Sequence, residues 1–187
     1  MKRLKFKTVI GILLLLVLAA SYGYWQMLPK QQDVIQQIFG NQQNYDAVVS
    51  SQKVTAQLLH KQHKSQDEAK LEKLEGYTSD AEIPVSPADI EKIKKILRSP
   101  SSYRWNVASS CIPDYGVLLN FHSDQRSVQL AFCFNCDLMG VFSGEETPVK
   151  RVSAGTIFTP MRAQLVPMMK TLFPNDRNIQ ELKLDRD

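Results

Sequence analysis

Apolar residues run unbroken near the start of the chain, then settle into helical spacing and strict alternation. From Val9 to Ala20 every position is apolar or small, and Tyr22, Tyr24 and Trp25 follow. QQDVIQQIFGNQQN then sets Val34, Ile35, Ile38 and Phe39 at helical spacing until Gly40 interrupts, which predicts an amphipathic juxtamembrane helix or tether over 30–45. Val54, Ala56 and Leu58 alternate within Lys53–His60 and predict a first strand. The stretch HKQHKSQDEAKLEKLEG has no clean apolar face and reads as a solvated loop or hairpin arm. Ser86-Pro87 opens a helix over 86–98: a serine cap, proline at the first position, Asp89 in the first turn, and Ile90, Ile93, Ile96 and Leu97 on one face.

Strand signals come next. Tyr103, Trp105 and Val107 alternate, as do Val117, Leu119 and Phe121, then Val128, Leu130, Phe132 and Phe134, with a further short run over Leu138–Phe142. His122–Arg126 is a polar connection of hairpin length. A second helix over 159–173 starts at Thr159-Pro160, read as another cap and proline, and carries Leu165, Met168, Met169 and Leu172 on one side with Pro167 in its interior. A last turn over Asn178–Leu184 packs Ile179 and Leu182. Together these elements predict an α+β fold: an antiparallel β-sheet meander with one apolar face, covered by two or more helices, after an N-terminal membrane or signal helix.

Charge sharpens the reading of the N-terminus. With 23 basic and 19 acidic residues in the chain, Lys2, Arg3, Lys5 and Lys7 account for the whole positive excess. The remainder is balanced, which leaves little support for a nucleic-acid-binding surface, because phosphate contact needs a concentrated cationic face. A basic cluster ahead of an apolar run ending in Ala19, Ala20 and Ser21 marks 1–29 as a signal peptide or a single-pass membrane anchor. The short apolar run favours the first; the aromatic residues extending it toward Leu28 resemble an interfacial belt and favour the second. Either way the segment engages the membrane and places the α+β domain, expected over 46–187, outside the cytoplasm, in a periplasm or at a cell surface.

Chemistry is sparse except at the cysteines. The chain has no Gly-x-Ser-x-Gly, no His-Glu-x-x-His, no phosphate-binding glycine loop and no dinucleotide fingerprint, so no catalytic residue and no cofactor are assigned. His60 and His63 are expected as exposed surface histidines, and Asp114 and Asp137 as exposed turn acids. Three cysteines remain as disulfide candidates: Cys111, Cys133 and Cys136. A hairpin centred near Asp124 and Gln125 places Cys133 opposite Gly116 and Cys136 opposite Pro113, gathering all three sulfurs at one end. His122 then lies about 11 residues away, roughly 35 Å at about 3.3 Å per residue, too far to complete a zinc site with them. Phe132 and Phe134 point to the apolar face, so Cys133 points to the opposite one with Gln129 and Ala131. In an oxidising compartment, Cys111 bonded to Cys136 or to Cys133 would close a loop of about 25 residues and contribute roughly 2–4 kcal/mol.

Cys111, Pro113, Tyr115 and Gly116, then Cys133, Phe134 and Cys136, then Leu172, Phe173 and Pro174 form a pattern over about 46–187. It resembles a group of small uncharacterised bacterial proteins, often exported, with a Cys-x-Pro-x-Tyr-Gly stretch, a Cys-Phe-x-Cys stretch and a closing helix ending in Leu-Phe-Pro. The resemblance implies a shared fold and carries no catalytic residues. The expected role is a non-catalytic cell-envelope module that binds or scaffolds another envelope component, a protein partner among the candidates; the alternative is a thiol-redox or metal-handling protein using the three cysteines.

Overall fold

The computed structural model describes residues 6–27, 30–62, 74, 76–105, 111–124, 126–143 and 156–185. It divides into two units, 1–30 and 31–187. The first is a single helix, α1 (Phe6–Met27), whose side chains from Ile12 to Leu18 are all exposed. Among the described residues no helix is long and apolar enough to cross a membrane; the side chains described in α1 are 11–22 and Tyr24.

The second unit opens with α2 (Gln31–Asp33), which continues as one wide π-turn over Val34–Ile38, and α3 (Gln42–Ser50), capped by Asn41 Oδ1 accepting from the Asn44 N–H. This stretch was expected to be a tether. Instead its Val34, Ile38 and Phe39 are buried in the main core, as are Ala47 and Val48 just beyond it. Gln32, Gln36, Gln37, Gln42 and Gln43 are exposed while the apolar residues between them cover the sheet, so periodicity was right about the helix and composition misled about its place. Asn44, fully buried, fixes the attachment: its amide donates to Phe39 O and its oxygen accepts from Arg126 Nη1 at the tip of the central hairpin.

The sheet consists of β1 (Lys53–Lys61), β2 (Tyr77–Ser79), β3 (Ile83–Pro84), β4 (Val117–His122), β5 (Ser127–Cys133), β6 (Leu138–Ser143) and β7 (Thr156–Ile157). The strand order is β2-β1-β4-β5-β6-β7 with β3 also on β1, and every pairing is antiparallel. The β4–β5 register sets Val117 against Phe132 and His122 against Ser127, which is the alignment the hairpin centre predicts. His63 and most of the charged loop after β1 lie outside the described residues; His60 is exposed and 3.0 Å from Asp80.

One sheet face carries the main core, covered by α2–α3, α4 (Pro87–Arg98) and α5 (Thr159–Leu172), with α6 (Arg177–Gln180) adding Ile179. Helix α4 starts as its sequence dictates: Ser86 Oγ accepts from the Asp89 N–H at 3.2 Å, and Pro87 takes the first position, where no N–H is needed. At α5 the Thr159 hydroxyl makes no cap bond; Thr159 is already helical and Phe158 precedes it. The helix runs on through Pro167, and its buried residues are Met161, Arg162, Leu165, Val166 and Met169, with Met168 and Leu172 only partly covered.

Two further expectations fail for physical reasons. Tyr103 and Trp105 do not begin a strand, because hydrogen bonds to the end of α4 claim this segment. Ser102 Oγ donates to Ile96 O and the Tyr103 hydroxyl to Leu97 O, both in the last turn of the helix, and Trp105 Nε1 donates to Pro100 O just past it. Only Arg104 bridges to a strand residue, Ile157; Val107 lies outside the described residues. The second failure concerns the other sheet face, which is not purely solvated. At one end it buries a smaller cluster of Leu59, Tyr77, Tyr115, Leu118, Ala131, Cys133, Cys136, Leu138 and Ile157.

Candidate functional site

The smaller cluster holds the chemistry. β5 ends at Cys133, and residues 134–137 turn the chain into β6, with Cys133 paired to Leu138 across the turn. Alternation along β5 sends Phe132 to the main core and Cys133 to the smaller cluster. On the neighbouring side, Gly116 N–H donates to Phe132 O at 3.0 Å, which carries the pairing one residue beyond β4, and the Asp114 N–H to Cys133 Sγ holds the irregular segment 111–115 beside the turn. The consequence is a disulfide between Cys111 and Cys136, with Cα atoms 6.1 Å apart, one of the two pairings open from sequence. Cys111 is exposed, Cys136 buried.

Cys133 stays outside the bond, fully buried beside it. Its sulfur accepts the Asp114 N–H at 3.3 Å, and the nearby backbone amides of Asn135 and Cys136 act on the thiol in the same direction. Burial pushes the thiol's pKa up, against those amides, which favour the thiolate. Tyr77 closes the neighbourhood. Its hydroxyl donates to Pro113 O and accepts from the Tyr115 N–H, both at 3.2 Å, and burial raises its pKa as well. Tyr115 packs on Tyr77 and, edge-on, on Phe142. Gly140 makes room for it: a Cβ there would lie 2.6 Å from the Tyr115 hydroxyl.

The opposite flank of the turn is held by charge. Asp137 adopts φ 54°, a left-handed conformation that aspartate tolerates better than most residues, and its side chain is wholly buried. It was expected to be an exposed turn acid; the exposed one is Asp114. Arg162 of α5 explains the difference. Its Nη1 donates to Asp137 Oδ1 and to Phe134 O, its Nε donates to Lys183 O, and its guanidinium lies 5.8 Å from the centre of the Phe134 ring. Asp137 O accepts the Phe158 N–H at 2.8 Å. One buried arginine therefore ties the turn to the helix and the C-terminal segment. Arg162 stood in the sequence on the apolar side of its helix, three positions before Leu165, a placement that can signal a buried ion pair.

His122 sits at the far end of β4, bonded to Thr55 Oγ1 at 3.3 Å and to Ser127 Oγ at 3.4 Å through its two ring nitrogens. The sulfurs gather at the other end. Among the described residues there is no cluster of His, Cys, Asp and Glu arranged to hold a metal ion. No family model matches the chain, and neither a curated protein nor a solved structure does.

Proposed function

We propose that the chain is an extracytoplasmic, non-catalytic module of the bacterial cell envelope, exported or anchored by residues 1–29, that binds or scaffolds another envelope component. The Cys111–Cys136 disulfide is the observation that supports this reading most, because such bonds form and persist in oxidising compartments. The basic cluster and apolar run of 1–29 agree with it, as does the resemblance to small exported bacterial proteins. On this reading the segment 111–116 and the turn 134–137 form a stapled rim whose shape is kept by the disulfide and by Arg162. A folding reporter fused after residue 187 tests the location: a phosphatase that needs export should be active in intact cells, whereas activity confined to a cytoplasm-dependent reporter would refute it. Cross-linking in intact cells then tests binding, with one dominant adduct to an envelope protein expected and only random neighbours counting against it.

A further inference from the structure

The position of Cys133 is more than a structural convenience. Cys133 is a buried thiol in the same cluster as Cys136, and its sulfur accepts the Asp114 N–H, a fixed dipole that offsets part of the burial cost that raises its pKa. Residues three apart in a tight turn have Cα atoms within about 7 Å, inside the range a disulfide spans. Cys133 and Cys136 flank such a turn. The two sulfurs of the existing bond also differ in setting: Cys136 is buried with Cys133, and Cys111 faces solvent next to the exposed Ile112. Water stabilises a departing thiolate, so Cys111 is the better leaving group and Cys136 the sulfur to be attacked.

We propose that the three cysteines form an exchange unit in which Cys133 attacks Cys136 Sγ, displaces Cys111, and so presents a solvent-facing thiol able to bond to a disulfide-bearing partner. In the first step Cys133 gives its proton to solvent base; its thiolate forms the Cys133–Cys136 bond, and the Cys111–Cys136 bond breaks with its electron pair on Cys111, which takes a proton from water. No oxidant is consumed, since one disulfide replaces another. In the second step Cys111 returns its proton to solvent base, and its thiolate attacks the partner's disulfide, forming a mixed disulfide and releasing one partner thiolate, which takes up a proton. Asp114 and Tyr77 are the titratable groups facing Cys133, and negative charge on either opposes its ionisation. This inference stands apart from the envelope reading, because it concerns chemistry within the chain.

The test uses the oxidised full chain, incubated from pH 6 to pH 9, quenched in acid, alkylated and mapped by peptide mass spectrometry. Expected is a population with Cys133 bonded to Cys136 and Cys111 alkylated, appearing at a rate that rises about tenfold per pH unit and does not depend on protein concentration. Oxidised glutathione should then add to Cys111. The Cys133→Ala variant should lose both signals while keeping the Cys111–Cys136 bond. As a check independent of that variant, Cys111→Ser should close a Cys133–Cys136 bond under oxidised glutathione. Alkylation at Cys111 that never exceeds the Cys133→Ala level, or a Cys111→Ser protein that keeps both remaining thiols, would overturn the proposal.

Discussion

Arg162 and Asp137 show how much can rest on two side chains. Both are buried, and one Asp137 oxygen has no hydrogen-bond partner among the described residues, so the carboxylate depends on its guanidinium. Removing one member of a buried pair leaves the other charged and dry. Arg162→Met should therefore cost about 3–5 kcal/mol in denaturant unfolding, while a double change to Met and Leu should recover part of the loss. A merely surface-like arginine would give less than about 1 kcal/mol. Gly140→Ala should cost about 1–3 kcal/mol by pushing against both the Tyr115 hydroxyl and the Phe142 ring, and smaller side chains at 115 and 142 together should relieve part of that strain. Cys133 sets an alkaline limit. Its folded pKa lies above the unfolded value of 9.0 because of burial, so both states stay protonated below about pH 9 and stability there is level. Above it the unfolded chain sheds the proton first, and stability falls as pH rises toward the folded value. Tyr77 and Tyr103, also raised by burial above 10.0, add to the loss at higher pH. Unfolding curves across this range should show the onset move up, from near 9 to near 10, in Cys133→Ala.

Elements with a local cause were legible, and those decided by distant contacts were not. α4 declares itself through Ser86, Pro87 and its apolar stripe, and Ser86→Ala should lower stability by about 1 kcal/mol through loss of the bond to the Asp89 N–H. A thermal shift within error for that variant would mean the cap is dispensable. β4, β5 and β6 follow from alternation, and the short polar connection between the first two fixes their register. Tyr103 and Trp105 alternate just as well, yet their side chains bond to Leu97 O at the end of α4 and to Pro100 O just past it, and they form no strand. β2, β3 and β7 are too short to produce a pattern of their own and exist because β1 and β6 offer edges to pair with. The glutamine-rich stretch was misplaced for a related reason. Val34, Ile38 and Phe39 are ordinary for a surface helix, and only the uncovered sheet beside them makes them core.

Across the whole molecule, the hairpin is the organising feature. It sends Phe132 into the large core and Cys133 into the small one, collects the cysteines at one end and leaves His122 at the other. That much of the site was readable from spacing alone. The Arg162 clamp was not, because nothing local to residue 137 announces a partner 25 positions away. The same arrangement makes the disulfide a staple across the rim: reduction should lower stability by roughly 2–4 kcal/mol, since it closes a loop with a sequence separation of 25. The most direct measurement is a map of the sulfurs in protein recovered from its own cells, acid-quenched and alkylated before digestion. Cys111 should be found bonded to Cys136 in most molecules, with Cys133 alkylated only after unfolding; three alkylated thiols, or Cys111 bonded to Cys133, in most molecules would contradict the account.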